Sequence, residues 1–198
     1  MIRGIIWDFA GVLLHTMRGT FNSMMAERLE VPLEDVNRVM SSPKNDQWDF
    51  GEIDDNAFFD YIIREIGLPT EKKAVLANFV QDDFYVDQGL IEEIHKLREN
   101  YITVLLTNFP AHLNKFLETG WDVEVAFDHI IASCDVKLLK PDKRMYRLAL
   151  DAIGCKPKEA VFIDDREENV AAARKMGMEG ILFKSKMQTL KTLMNILE

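Results

Sequence analysis

Cysteine is scarce in this chain of 198 residues: Cys134 and Cys155 are too few for a disulfide framework and lack the CxxC spacing of a zinc site. Both are expected to be reduced structural thiols, so any metal has to be held by oxygen ligands. Also missing is any run of about 18 apolar residues, which excludes a membrane-spanning helix. The first residues enter an apolar stretch with no signal-peptide pattern, and a cytoplasmic location is expected. There is no internal repeat and no low-complexity segment. Basic residues are in the minority, 24 Lys and Arg against 33 Asp and Glu, for a net charge of −9. Most of that imbalance falls in residues 15–87, with 15 acidic and 7 basic side chains. Such a surface repels a phosphate backbone, so neither nucleic acid nor an anionic membrane is expected as a partner. Its plain reading is a solvated helical face.

Hydrophobic residues make up 47% of the chain, enough to bury a full core. Short apolar runs rich in β-branched residues, fit for buried strands, recur at 4–7, 102–106, 130–132, 161–163 and 181–183. Helical periodicity marks 88–99, 111–118, 143–153, 167–176 and 187–197. Strands alternating with helices predict an α/β fold, a Rossmann-like parallel sheet sandwiched by helices. About 80 residues separate the first strand from the helix near Gln88, far more than a crossover needs. That stretch has helix signals of its own at 19–29, 33–40, 56–66 and 70–84, with Asp54 and Thr70 as N-caps. The expected organisation is a core of 1–14 and 88–198 with a small all-helical cap, 15–87, inserted after the first strand.

Ligands of open parallel sheets bind outside the carboxyl ends of the strands. The polar residues at those ends are Asp8, Thr107, Asn108, Asp164 and Asp165, with Lys140 in a following loop. Adjacent acids repel unless a cation or hydrogen bonds offset them, and an all-oxygen cluster suits Mg²⁺. Taken singly, Asp164 or Asp165 reads equally well as the cap of the helix that follows. A strand-end hydroxyl with the next helix's amides forms a phosphate cradle, and Lys140 adds a balancing cation.

These segments resemble the haloacid dehalogenase-like hydrolase superfamily, mostly phosphatases, through four motifs in order: IIWDFAGVLL, VLLTN, KLLKPDKRMY and AVFIDDREENVAAA. They span nearly the whole chain. The resemblance implies that Asp8 attacks phosphorus to give an aspartyl-phosphate. It implies Mg²⁺ held by Asp8, the backbone carbonyl of Ala10, Asp164 and Asp165, with Asp164 orienting a bound water. Thr107 and Lys140 then grip the phosphate, and Asn108 and Asn169 stand behind them. The expected ligand is a small phosphorylated molecule.

One residue departs from the family pattern. Most of its phosphatases carry at position 10 an aspartate that protonates the leaving group and later activates water, and here the residue is Ala10. Proton transfer of this kind is worth about 10²- to 10⁴-fold in rate. A weak or selective phosphatase preferring acyl or aryl phosphates is therefore expected. His15, Asp46, Asp49 and Glu52 are the titratable residues available as substitutes. Two other readings stay open: a phosphate-binding or protein-interaction module without catalysis, and a 2-haloacid dehalogenase, against which the retained acidic pair argues. On the substrate side, Trp48 and Phe50, beside Gly51 in an expected loop, are the residues read as touching substrate, together with Asn108.

Overall fold

A computed structural model describes residues 1–110 and 122–198. The helix expected over 111–118 lies outside the described residues. Five strands form a parallel sheet: β1 (Gly4–Trp7), β4 (Ile102–Thr107), β5 (His129–Ala132), β6 (Ala160–Asp164) and β7 (Glu179–Leu182), in the order β5-β4-β1-β6-β7. The expected α/β class is what the chain adopts. β1 sits at the centre because every residue of it is apolar or glycine and all four are buried.

Alternation along the strands splits the core in two. Ile5, Trp7, Leu105, Val161 and Ile163 point to one face and join Leu90, Ile91 and Ile94 of helix Gln88–Leu97. Ile6, Val104, Leu106 and Phe162 point to the other and meet Met145, Tyr146, Ala149, Leu150 and Ile153 of helix Lys143–Ile153. Those five positions recur every three to four residues, which lays one continuous apolar stripe against the sheet. Asp142 caps the start of this helix by accepting from Arg144 N, and Gly154 closes it in the left-handed region.

Two further strands, β2 (Leu14–Thr16) and β3 (Phe84–Val86), form an antiparallel ribbon, pairing Leu14 with Val86 and Thr16 with Phe84. The ribbon brings together the two ends of a helical segment made of Phe21–Leu29, Leu33–Met40, Pro43–Asp49, Asp55–Ile66 and Lys73–Asp83. Three expectations need correcting here. The last helix stops before Phe84, because Phe84 and Val86 are buried while Tyr85 is exposed, a strand alternation. Thr70 opens a short 3₁₀ turn capped by Pro69 and not by its own side chain. Trp48 lies in a helix, not a loop, and Phe50 is its C-terminal cap.

Asp54 does cap its helix, accepting from Ala57 N at 2.8 Å. The apolar cluster on the β1 face continues without a break into Met24, Leu29, Val36, Phe58 and Ile62 of the helical segment. Among the described residues no helix is long and apolar enough to cross a membrane.

Candidate active site

The register of the sheet lines up the strand ends. Trp7 stands opposite both Leu105 and Ile163, so Asp8, Thr107 and Asp164 emerge at one edge, where the chain has crossed from one side of β1 to the other. Asp8 is only 5% exposed, with its amide held by the Ile163 carbonyl at 2.9 Å. After it the backbone folds into a tight turn closed by bonds from Leu13 N and Leu14 N to the Phe9 carbonyl and from Gly11 N to the Leu14 carbonyl. The Ala10 carbonyl accepts none of these bonds. Gly11 is required twice over, by its φ of +87° and because a Cβ there would lie 2.2 Å from Asp165 Oδ2.

Lys140 is buried between two carboxylates, its Nζ donating to Asp8 Oδ1 at 2.6 Å and to Asp164 Oδ2 at 2.7 Å. Asp164, fully buried, also accepts from Arg166 N at 2.8 Å and from Asn169 Nδ2 at 3.0 Å on each oxygen. The following helix, Glu167–Lys175, takes Arg166 as its N-cap with no side-chain cap bond, so neither aspartate serves as that cap. Carboxylate oxygens of Asp8, Asp164 and Asp165 all lie within 4.8 Å of one another. Loss of hydration pushes Asp8 above the ordinary carboxylate range, Lys140 pulls it back, and Asp164 adds to the rise. Asp165 has an open surface, yet the adjoining wall takes part of its hydration, and Asp164 beside it raises it further.

Lys140 is one cation beside three carboxyl groups, in a cluster without His or Cys. That donor set fits a hard divalent cation better than any structural role. Thr107 fits an oxyanion in the same way: it is fully buried, and its hydroxyl makes no hydrogen bond among the described residues. A buried hydroxyl without a partner is costly in a packed interior, which makes it a mark of a ligand position.

Asn108 sits differently from its expected role as a substrate contact. Its Nδ2 donates to the Lys140 carbonyl at 3.0 Å and its Oδ1 accepts from Lys140 N at 2.8 Å, so the amide fixes the backbone that carries the lysine. It also lines the cavity beside the site, about 610 Å³ in volume. Ala10, Gly11 and Asp165 form the sheet side of this cavity, and the helical segment and the ribbon supply Phe21, Met40, Trp48 and Phe84 on the other. Trp48 is held by stacking on Phe58 with ring centroids 4.3 Å apart and by donating from Nε1 to Asp55 Oδ1 at 2.8 Å. Phe50, half-buried, is not among the residues lining it.

Two features escape a reading by motif. Gly11 packs under Asp165, and the signal available was only a glycine following the Asp-X-Ala turn. Ser133, just past β5, accepts from Phe109 N at 3.0 Å and donates to the Asp49 carbonyl at 2.6 Å, which ties the helical segment to the loop after Thr107.

The family model of haloacid dehalogenase-like hydrolases matches residues 2–177. The sesquiterpene phosphatase astK of Aspergillus oryzae is 28% identical over 183 residues, covering 90% of this chain and 88% of that protein. A solved structure of a predicted HAD-like family hydrolase from Porphyromonas gingivalis is similar with a TM-score of 0.79 and 25% identity, covering 100% of this chain and 98% of that one. The HAD family enzyme bt-2542 of Bacteroides thetaiotaomicron, solved with magnesium and inorganic phosphate, shares the fold with a TM-score of 0.76 at 22% identity, covering 94% and 96%.

Proposed function

The chain belongs to the haloacid dehalogenase-like hydrolase family, and from that premise we propose that it is a Mg²⁺-dependent phosphatase acting on a small phosphorylated molecule through an aspartyl-phosphate on Asp8. The observation that carries the reading is the buried Thr107 hydroxyl, without a partner among the described residues, at the same sheet edge as a lysine shared by two aspartates. Phosphatase-type relatives and a magnesium and phosphate complex on the same fold point the same way.

In this reading Asp8, the carbonyl of Ala10, Asp164 and Asp165 hold the cation. When bound, it supplies charge neutralisation at the phosphoryl oxygens. Lys140 keeps the Asp8 carboxylate aimed out of the sheet edge, and Thr107 with Lys140 grips the phosphoryl group. An Asp8 oxygen attacks phosphorus, the bond to the leaving oxygen breaks, and water later releases inorganic phosphate from Asp8. Splitting the displacement in two lowers each barrier. Residue 10 takes no part in proton transfer, so leaving groups that depart easily, such as aryl and acyl, react faster than alkyl ones. The helical segment, residues 15–87, acts as a cap over the crevice. Its apolar side chains in the cavity, with Trp48 foremost, favour a substrate with an apolar body.

The test is a Mg²⁺ titration with an activated aryl phosphate in wild type and Asp8→Asn. Turnover that needs both Mg²⁺ and Asp8 is expected. Phosphate binding without turnover would assign the chain to binding alone.

A further inference from the structure

The helix that carries Trp48 ends on an acid, and that acid lines the same cavity as Ala10. We propose that Asp49 supplies part of the proton transfer that residue 10 lacks, giving a proton to the leaving oxygen and taking one from the attacking water. The proposal rests on the phosphatase reading of the site.

Four titratable residues of the 15–87 segment stood open for this role, and the structure separates them. Asp46 and Glu52 do not line the cavity. His15 lines it from β2, but its ring is packed between Tyr85, at 5.5 Å, and Phe183, at 6.2 Å. Asp49 remains. Its main chain is anchored on the phosphate side, since the Ser133 hydroxyl that bonds its carbonyl at 2.6 Å also accepts from Phe109 N, two residues past Thr107. Among the described residues its carboxylate has one weak side-chain tie, an Asn45 Nδ2 contact at 3.3 Å, so the group is positioned without being locked.

The surroundings match the chemistry. Burial, and then Asp46 on the same helix, push the Asp49 carboxyl up to about 7, against the pull of Asn45 and of Arg166 facing it from the loop after β6. Asp165 and His15 border the same cavity, and Lys137 reaches the Gly51 carbonyl at 2.9 Å beyond the helix end. A carboxyl that holds its proton near neutrality suits a group that must both give and take one.

The steps balance. As the bond from Asp8 to phosphorus forms, the bond from phosphorus to the leaving oxygen breaks. The leaving oxygen keeps the electron pair and takes the Asp49 proton, departing as an alcohol. Asp49, now a carboxylate, takes a proton from water as its oxygen attacks phosphorus. The Asp8 bond to phosphorus then breaks, and both side chains return to their starting states.

Asp49→Asn keeps the shape and removes the proton. The measurement is kcat/KM, which reports the phosphorylation of Asp8, with Mg²⁺ on an alkyl phosphate and on p-nitrophenyl phosphate, whose leaving group needs little protonation, in wild type, Asp49→Asn and Asp49→Asn with Ala10→Asp. Asp49→Asn is expected to lower kcat/KM on the alkyl ester by about 10- to 100-fold and kcat/KM on the aryl ester by less than about threefold. It should also remove the fall of alkyl turnover above about pH 7. Adding Ala10→Asp should restore the alkyl ester. Equal losses on both esters, or none on either, would overturn the proposal while leaving the phosphatase reading in place. Absence of Mg²⁺- and Asp8-dependent turnover in wild type would remove both together.

Discussion

The two walls of the cavity are built by opposite rules. On the sheet side, Asp8, Asp164 and Lys140 are buried and joined by hydrogen bonds of 2.6 and 2.7 Å, and Asn169 and Asn108 hold the acid and the lysine backbone in turn. On the helical side, the Asp49 carboxylate has, among the described residues, a single side-chain bond of 3.3 Å, and Trp48 presents an aromatic wall. The first wall is a preorganised electrostatic site whose members depend on one another. The second is set by aromatic packing and by shorter-range bonds, such as Trp48 to Asp55 and Asn45 to Asp49. In the proposed reaction, binding and cleavage at phosphorus fall to the sheet, and the leaving group falls to the helices.

Breaking the sheet wall should cost most. Lys140→Met leaves two buried carboxylates without their shared cation, and urea unfolding should show a loss of roughly 3 to 5 kcal/mol together with loss of turnover. A retained stability would mean the three groups do not act as one unit. Gly11→Ala comes next: the left-handed φ and the 2.2 Å approach force Asp165 to move. An approximately 10- to 100-fold weaker half-saturation by Mg²⁺ is expected, with the fold unchanged by circular dichroism.

The link between the walls should cost less. Ser133→Ala strands the Asp49 carbonyl and the Phe109 amide, for about 1 to 3 kcal/mol in thermal or urea unfolding. The smallest effect is a pH dependence of stability on the helical side. Because the folded Asp49 carboxyl is raised from the ordinary 3.8 to about 7, its burial is free of penalty below about pH 4 and costs stability as pH rises towards 7. Asp49→Asn should therefore match wild type near pH 4 and exceed its stability at pH 8. A difference independent of pH would place Asp49 in water.

The sheet wall was also the legible one. Apolar runs ending in Asp8, Thr107 and Asp164 announce buried strands with polar tips, since a parallel strand covered on both faces must read as continuous hydrophobicity. The helical wall was less so. Pro43–Asp49 is too short for a periodicity, though Ser42-Pro43 is a helix-opening pair. The three-residue strands β2 and β3 carry almost no pattern, and the helix signal over 70–84 takes in Phe84, the first residue of β3. Asn108 shows the limit of motif reading from the other direction, because its bonds to the backbone of Lys140 span 32 residues and exist only in the fold.

The central claim is that Ala10 removes proton transfer and leaves binding intact. A leaving-group series of aryl and alkyl phosphates, run on wild type and Ala10→Asp with Mg²⁺ half-saturation measured alongside, tests it most directly. Ala10→Asp should raise kcat/KM on the alkyl esters by about 10- to 100-fold, change kcat/KM of the best aryl ester little, and leave Mg²⁺ half-saturation where it was. An unchanged alkyl-to-aryl ratio, or a gain that tracks tighter Mg²⁺ binding, would contradict it.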